Sequence, residues 1–306
     1  MLTYRKLLQE PQVAKSLICM SLDKFELAHT DHLEAVTTTR KNQKRRRVVS
    51  TGRKHKCDLR DRLLMTLFWL KAYTTYEVLG FIYDLIKTNI EDNLKQVLET
   101  LECLTHFNFD RPPAERRKLR YMRLIIDAKE QRIERPKNRK DQDGNVQDRQ
   151  KPYYSGKKKT DTLKNQVAVS PTWLIEHVSE SVPGSALHDM RLLRQTDSLS
   201  GLGEGEAAML DKGYDGIRTD YPDKRLYLPF KARRIHPLSE EQRAYNHFLA
   251  KYRMVVEHTL TQLNKFQILA QRFRHQLAKH SVIFRIVAGL VNQRIQLRPF
   301  KQYQPA

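Results

Sequence analysis

The chain has 306 residues, of which 40% are hydrophobic, and its 56 Lys and Arg outnumber 35 Asp and Glu to give a formal net charge of +21. This length and apolar content allow two domains, and the positive excess indicates a polyanionic partner, usually nucleic acid. Three scattered cysteines without a C-x-x-C pair argue against a disulfide framework and a cysteine zinc site. With no apolar stretch of membrane-spanning length and no signal-peptide core, we expect a soluble protein in a reducing intracellular compartment.

The N-terminal part combines a helical pattern with a basic segment. Apolar residues at helical spacings predict helix from residue 1 to about 38. A basic segment follows at about 40–56 and contains Arg45, Arg46 and Arg47. Two interpretations stay open for it: a solvated loop or hairpin, and an arm that contacts DNA phosphates, which the charge of the whole chain favours.

Residues 59–104 predict a small domain of three helices, in which Thr74 could cap the short second helix and the third opens at Lys87 and Asn89. This is the order of a helix-turn-helix, which makes Lys87 and Asn89 candidate DNA contacts. A trihelical bundle that never touches DNA gives the same pattern. The Pro-containing segment 110–113 is a plausible linker, so we predict a helical region at 1–112 and a second domain at 113–306.

The second domain starts with a strand-like pattern. The predicted elements begin with a strand at 123–128, a partner strand at 132–136 and a polar loop at 138–151. A third strand starts at 153–159 and continues at 162–169, which completes a three-stranded meander. A helix around 188–193, a strand into Asp211 and a short strand at 226–230 follow.

Two long helices close the chain. Ser239 is placed to cap the first, whose apolar stripe carries Phe248 and Tyr252 toward a core. Glu257 lies off that stripe, with Arg253 one turn earlier on the same side. The last helix, about 281–295, is so apolar that we expect it to be buried against the sheet.

Three acids stand out in this order of elements. Three strands, a helix, two strands and closing helices match a ribonuclease H-like fold, a mixed sheet flanked by helices, in which Asp127, Asp211 and Glu257 occupy neighbouring places. Such acids hold two divalent ions about 3.5–4 Å apart, and hard oxygen ligands select Mg²⁺ or Mn²⁺. Taken singly, each acid has a structural explanation as a strand end, a turn former or a salt-bridge partner of Arg253. Their conjunction on a basic chain favours a metal site.

The chain also resembles DDE-type insertion-sequence transposases, in the branch near the insertion-sequence-five group and its Harbinger-like relatives. The similarity covers most of the chain from about residue 59. The segments that carry it are 125–130 (Ile-Ile-Asp-Ala-Lys-Glu), 135–136 (Arg-Pro), 154–159 (Tyr-Ser-Gly-Lys-Lys-Lys), 183–184 (Pro-Gly), 188–189 (His-Asp), 210–216 (Leu-Asp-Lys-Gly-Tyr-Asp-Gly), 253–257 (Arg-Met-Val-Val-Glu) and 291–292 (Val-Asn).

The resemblance implies that Asp127, Asp211 and Glu257 are the metal-binding triad of a transposase with two Mg²⁺ or Mn²⁺ ions. It implies binding to the terminal inverted repeats of a mobile element, strand cleavage by water and attack of a 3′-hydroxyl on target DNA. A homodimer or larger assembly on double-stranded DNA, in the cytoplasm of a prokaryote and associated with its nucleoid, follows from this function. Related proteins often carry a Tyr three residues before the Arg and a Lys seven after the Glu, where this chain has Ala250 and Asn264.

Further residues are weaker candidates. Lys157, Lys158 and Lys159 are either DNA backbone contacts or a solvated strand entrance, and the charge favours contacts. Lys212 is a candidate DNA contact, and Arg253 orients Glu257 or touches phosphate. Glu130 is an accessory acid or a plain surface residue. A stand-alone metal-dependent DNA endonuclease and a non-catalytic DNA-binding relative are the alternative functions.

Overall fold

The computed structural model describes residues 1–42, 56–104, 122–140, 146–185, 189–196, 198–199, 202–203, 205–232 and 237–296. Most of the predicted basic arm, including Arg45, Arg46 and Arg47, lies outside these residues. Within them, no helix is both long and apolar enough to cross a membrane. The chain divides into two compact units, one of residues 1–108, 265–270 and 282–306 and the other of residues 109–264 and 271–281.

The helices follow the predicted pattern closely. Within the described residues they are α1 (Tyr4–Gln9), α2 (Ala14–Ile18), α3 (Leu22–Asn42), α4 (Leu59–Ala72), α5 (Tyr76–Tyr83), α6 (Lys87–Glu102), α7 (Asp189–Thr196), α8 (Ile217–Asp220), α9 (Glu240–Leu263), α10 (Gln267–Ala270) and α11 (His280–Gln296). Short 3₁₀ turns lie at Pro11–Val13, Lys151–Tyr153, Lys212–Tyr214 and Leu277–Lys279.

In the first unit, α4, α5 and α6 pack on one another. The cap of α5 is Thr75, whose hydroxyl accepts from the Val78 amide, rather than the predicted Thr74. A side chain at Gly80 would place its Cβ 2.5 Å from the Leu85 carbonyl oxygen, so only glycine allows α5 to approach the turn into α6 this closely. α6 buries Ile90, Leu94, Val97 and Leu101, a spacing of three to four residues that forms one face.

The end of the chain also belongs to the first unit. α10 packs on α4, and Arg285 of α11 donates to the Glu102 carboxylate at 3.1 Å. The apolar side chains of α11 are buried as expected. Residues 282–296 group with the helical unit instead of the sheet, and the predicted boundary at residue 112 lies outside the described residues.

The second unit is built on a mixed sheet. Its strands are β1 (Met122–Arg132), β4 (Tyr154–Ser155), β5 (Thr160–Val169), β6 (Ile175–Val178), β7 (Val182–Pro183), β8 (Ala207–Leu210) and β9 (Arg225–Tyr227), and β2 (Arg139–Lys140) and β3 (Val146–Gln147) form a separate hairpin. β1 is antiparallel to β5 and parallel to β8, which is parallel to β9, and β4, β6 and β7 pair with β5. The predicted α/β class, a mixed sheet flanked by helices and preceded by a helical region, is confirmed at this level.

Three predicted strand details were wrong. Residue 132 continues β1 and Ile133 bridges to Phe273, so 132–136 does not fold back on β1. The polar segment 138–151 contains the β2–β3 hairpin. Residues 157–159 lie in the turn between β4 and β5, where Lys159 has a left-handed φ of 51°.

The two faces of the sheet pack against different helices. On one face, Leu124 and Ile126 join a core with Leu193 of α7 and with Tyr214. α9 packs against β1 and β5, and side-chain alternation assigns it to the other face. The prediction that Phe248 turns into a core was wrong, because it is 51% exposed. α9 has 24 residues, about 36 Å at 1.5 Å per residue, and its buried positions lie mainly in the second half.

Candidate active site

Asp127 and Asp211 lie side by side on neighbouring parallel strands. Ile125 pairs with Met209 and Ile126 with Leu210. Asp127 directly follows Ile126 and Asp211 directly follows Leu210, so the two acids lie at matching positions on the two strands. Parallel strands lie about 4.8 Å apart. Because strand side chains alternate, both acids share the sheet face of Ile125 and Met209, which is the face toward α9.

Arg253 and Glu257 of α9 complete the group. The Arg253 Nη1 donates to Asp211 Oδ1 at 3.0 Å, and its Nε donates to Glu257 Oε1 at 2.9 Å. The predicted spacing of four residues on one helix side is confirmed. We call Asp127, Asp211, Arg253 and Glu257 the Arg253 cluster.

The electrostatics of the Arg253 cluster favour a cation. Burial raises the pKa of Asp127, as does the negative charge of Asp211, while the Ala128 amide and Arg253 act in the opposite direction. Burial disfavours the charged form of Arg253, but the hydrogen bond to Glu257 and the charges of Asp211 and Asp127 outweigh it and raise the pKa of that guanidinium. The acids repel one another, and the positive charge between them relieves the repulsion.

The cluster is open to solvent and its oxygens suit a hard divalent ion. The side chains of Asp211, Arg253 and Glu257 are 39%, 44% and 49% exposed. Within the described ranges no three His, Cys, Asp or Glu side chains are grouped to hold an ion, and the Arg253 guanidinium bridges two of the carboxylates. That guanidinium shows that a cation fits there, and carboxylate oxygens with open positions are the donor set of Mg²⁺ or Mn²⁺.

A second charged group lies nearby, which we call the Lys164 cluster: Glu130, Ser155, Lys164 and Asp189. The Lys164 ammonium contacts Asp189 at 3.0 Å and Glu130 at 3.6 Å, and Ser155 donates to Glu130 at 2.8 Å. Glu130 is three residues beyond Asp127 on β1, so alternation places it on the opposite face. Its side chain is only 11% exposed, which contradicts a plain surface position, and the structure does not bring it into the Arg253 cluster.

The sequence analysis did not single out Asp189 or Lys164 as site residues. The charge of Asp189 contributes to the raised pKa of Asp127, and its Oδ2 lies 3.0 Å from where a Cβ of Gly213 would be. Asp189 therefore packs against the turn after Asp211. For Lys164 the signal was a polar run, Lys164 to Gln166, between apolar residues of a strand that is buried after its first residue.

A buried hydrogen-bond chain supports the turn that follows Asp211. The Tyr214 hydroxyl accepts from Gln166 Nε2 at 3.0 Å, and Gln166 Oε1 accepts from the Thr196 hydroxyl at 2.9 Å. Burial raises the pKa of Tyr214, so this hydroxyl stays protonated. The network ties the turn to β5 and α7, which fixes the direction of Asp211.

The predicted cationic residues fall in different places. Lys212 is exposed beside Asp211, and Lys157, Lys158 and Lys159 are exposed in the β4–β5 turn. Lys158 is near enough to Lys129 for its charge, together with the larger effect of burial, to lower the pKa of Lys129 to about 8.

Lys129 also contacts the end of α9. Its Nζ donates to Asn264 Oδ1 at 2.5 Å. Asn264 is the position where related proteins often carry a lysine, so the chain places a lysine from β1 beside that position.

The helix-turn-helix candidates lie in the first unit. Lys87 and Asn89 are exposed at the start of α6, and the Lys87 ammonium pairs with Glu77 at 2.7 Å. Neither belongs to the Arg253 cluster. They stay predicted DNA contacts.

Comparisons with known proteins identify the family of the chain. The chain is 26% identical over 253 residues, 81% of its own length and 84% of the relative's, to a protein of Microchaete diplosiphon named probable transposase for insertion sequence element IS702. No solved structure matches the chain. The family model described as DDE superfamily endonuclease matches residues 126–292, more than half of the chain and a range that includes Asp127, Asp211 and Glu257. The chain belongs to the DDE superfamily endonucleases.

Proposed function

We propose that the protein is a DNA transposase that cuts the terminal inverted repeats of a mobile element and joins their 3′-hydroxyl ends to target DNA. The observation that carries the proposal is the adjacent register of Asp127 and Asp211, with Glu257 linked to Asp211 through Arg253. On a strongly basic protein, these three acids from two strands and a helix are our proposed metal site.

Asp127, Asp211 and Glu257 would hold Mg²⁺ or Mn²⁺, two ions in the proposed site. Such ions, when bound, activate the attacking oxygen and stabilise the leaving oxygen of a phosphoryl transfer. The three carboxylates would hold these ions, and the buried support behind Asp211 keeps that carboxylate aligned. With the charge of the acids neutralised by bound ions, the Arg253 guanidinium would be free to contact a DNA phosphate.

Two features support binding to double-stranded DNA. The strand pairing β5-β1-β8-β9, with β1 antiparallel to β5 and parallel to β8, is the arrangement expected of a ribonuclease H-like catalytic domain. α4, α5 and α6 would act as a helix-turn-helix, with α6 in the major groove presenting Lys87 and Asn89. The basic arm with Arg45, Arg46 and Arg47, the lysines 157–159 and Lys212 would contact phosphates.

The joining reaction distinguishes a transposase from a nuclease. The name of the Microchaete diplosiphon relative supports a transposase, and so does the charge of +21, which suits a protein that holds element ends and target together. Holding two ends requires a homodimer or larger assembly on DNA. Such a protein would act in the cytoplasm with access to the nucleoid.

The test uses labelled duplexes from the DNA that flanks this gene, with Mg²⁺ or Mn²⁺, and scores cutting and joining separately. Asp127→Asn, Asp211→Asn and Glu257→Gln should each lower both reactions by about 1,000-fold or more while DNA binding persists. Matched controls are Asp215→Asn, in the same turn as Asp211, and Glu241→Gln, an exposed residue of α9. Both controls should retain activity.

Each other outcome has a definite meaning. Cutting without joined products would indicate a stand-alone endonuclease. Binding without cutting in the unmodified protein would indicate a non-catalytic relative. Equal activity in the triad variants and the controls would contradict the assignment of the site.

A further inference from the structure

The first half of α9 presents a row of exposed side chains on one side of the helix. Four residues, which we call the α9 stripe, follow one another at spacings of three, four and three: Glu241, Ala244, Phe248 and Lys251. At about 100° per residue they lie within about 80° of one another around the helix. All four are exposed, whereas Val255, the next position of the row, is buried. The α9 stripe therefore continues the buried side of α9 beyond the part that the sheet covers.

Phe248 is the apolar centre of the α9 stripe. It is 51% exposed. Its ring packs edge-on against Tyr252, with centroids 5.3 Å apart, and this contact leaves the rest of the ring in water. Covering such a ring is favourable, because it removes apolar surface from water.

The charges at the two ends of the α9 stripe are opposite. Glu241 lies at one end and Lys251 at the other, and neither forms an ion pair with another residue in the described part of the chain. The two are ten residues apart, about 15 Å along the helix, which is too far for them to pair with each other. Each is therefore available to an opposite charge on a second molecule.

The α9 stripe is complementary to itself. When two copies of α9 run antiparallel about a two-fold axis at residue 246, residue 241 of one copy lies level with residue 251 of its partner, and residue 244 lies level with residue 248. Each Glu241 then faces a lysine, and each Phe248 ring faces the small side chain of Ala244. A two-fold contact requires this reciprocity, and the spacing of three and four residues is that of paired helices.

The start of α9 also suits this pairing. α9 begins at Glu240, which lies level with Tyr252 of the other copy. Val255, where the helix is buried, is three residues further, about 4.5 Å along the axis. The helix of one copy therefore ends before it reaches the covered part of the other.

We propose that the α9 stripe is a two-fold contact through which two copies of this chain pair. The choice of a second copy as the partner rests on the proposed function, because two element ends need two active sites, and on the charge complementarity of the stripe. The contact is short and each chain carries a charge of +21, so free copies should repel each other. We expect the pair to form on DNA, whose phosphates neutralise this charge.

The test measures the mass of the complex with a short duplex from the DNA that flanks this gene, by light scattering in EDTA, where no cutting occurs. The unmodified protein should give two chains with two duplexes. Phe248→Asp should raise the dissociation constant of the pair by about tenfold or more, because it replaces the central apolar contact with a charge. Met254→Asp is the matched control, since Met254 is 46% exposed on another side of α9, and this variant should still pair.

Charge reversal gives the sharpest result. Glu241→Lys alone and Lys251→Glu alone should each fail to pair, because like charges then face each other across the two-fold axis. An equimolar mixture of these two variants should pair again, since each 241–251 contact in the mixed pair joins opposite charges. Mixing does not repair a variant that is misfolded or fails to bind DNA. Glu241→Gln should lower the affinity of the pair by less than about fivefold, because neutralising an exposed ion pair has a small effect.

The contradicting results are equally definite. A mixture that does not pair, or pairing that survives Phe248→Asp and both charge reversals, would overturn the assignment of the α9 stripe. An unmodified protein that cuts and joins DNA as a single chain would overturn it too, and would leave the catalytic assignment intact. Complexes that pair as expected but neither cut nor join in Mg²⁺ would confirm the contact and contradict the proposed function.

Discussion

The Arg253 cluster and the Lys164 cluster contain similar charged groups but differ in their exposure to solvent. Each places one cation between two carboxylates, and each has one acid on β1. In the Lys164 cluster the cation is 9% exposed and Glu130 is 11% exposed. In the Arg253 cluster the bridging side chains are between 39% and 49% exposed.

This difference in exposure indicates that Lys164 stabilises the fold, whereas Arg253 can be replaced by another cation. Removing one partner of a buried pair leaves an uncompensated charge in a poor solvent, whereas water screens an exposed pair. The comparison predicts that Lys164 is required for stability and that Arg253 can yield its place to divalent ions.

The largest expected effect on stability is that of Lys164→Met. It would leave Glu130 buried without its cation, so we expect the free energy of unfolding to fall by about 3–5 kcal/mol. Lys231→Met is the control, since it breaks the exposed pair with Asp215 and should change stability by about 0.5 kcal/mol or less. Urea denaturation measures both. Similar values for the two variants would remove the distinction between buried and exposed clusters.

Arg253→Gln should have a smaller effect on folding and a distinct effect on metal binding. In EDTA, the free energy of unfolding should change by about 1 kcal/mol or less. The affinity for Mn²⁺ should increase, because the competing positive charge is gone. Calorimetric titration with Mn²⁺ checks this, and weaker binding than in the unmodified protein would mean that Arg253 supports the metal site instead of occupying its place.

The smallest expected effect is the pH dependence that Asp127 contributes. Its pKa in the folded protein is raised above the ordinary 3.8, so protonation favours the fold. This contribution is present below pH 3.8 and is lost as the pH rises through the raised pKa. Asp127→Asn removes the charge, so in EDTA at pH 7 it should melt at a higher temperature than the unmodified protein.

That gain should disappear near pH 4. Thermal melts from pH 4 to 7 provide the measurement, with Asp215→Asn as an exposed control. Parallel curves for Asp127→Asn and the unmodified protein would show that the environment of Asp127 does not disfavour its charge.

The positions of the candidate acids could be predicted because local patterns specify them. An apolar run into Asp211 indicates a strand end, and another into Asp127 indicates a strand, although β1 continues past Asp127 to Arg132. The spacing of Arg253 and Glu257 places them on one helix side. Ser239 and Gln242 form the expected capping box. In each case the pattern spans only a few neighbouring residues of the sequence.

Other features depend on partners that are distant in the chain. The function of Lys164 is set by Glu130 and Asp189, which are 34 and 25 residues away by the numbering, and one sequence does not show which polar residues meet inside a sheet. Phe248 follows the helical stripe, yet it is exposed because α9 extends past the core. The periodicity of apolar residues predicts which side of a helix is buried. How much of its length is buried depends on the tertiary structure.

The most direct measurement of the central claim is anomalous scattering from crystals of the protein with Mn²⁺. We predict density for Mn²⁺ in contact with Asp127, Asp211 and Glu257, with the Arg253 guanidinium turned away from Asp211. Mn²⁺ bound elsewhere, or no Mn²⁺ and Arg253 still bridging Asp211 and Glu257 at saturating metal, would contradict the assignment of these acids as one metal site.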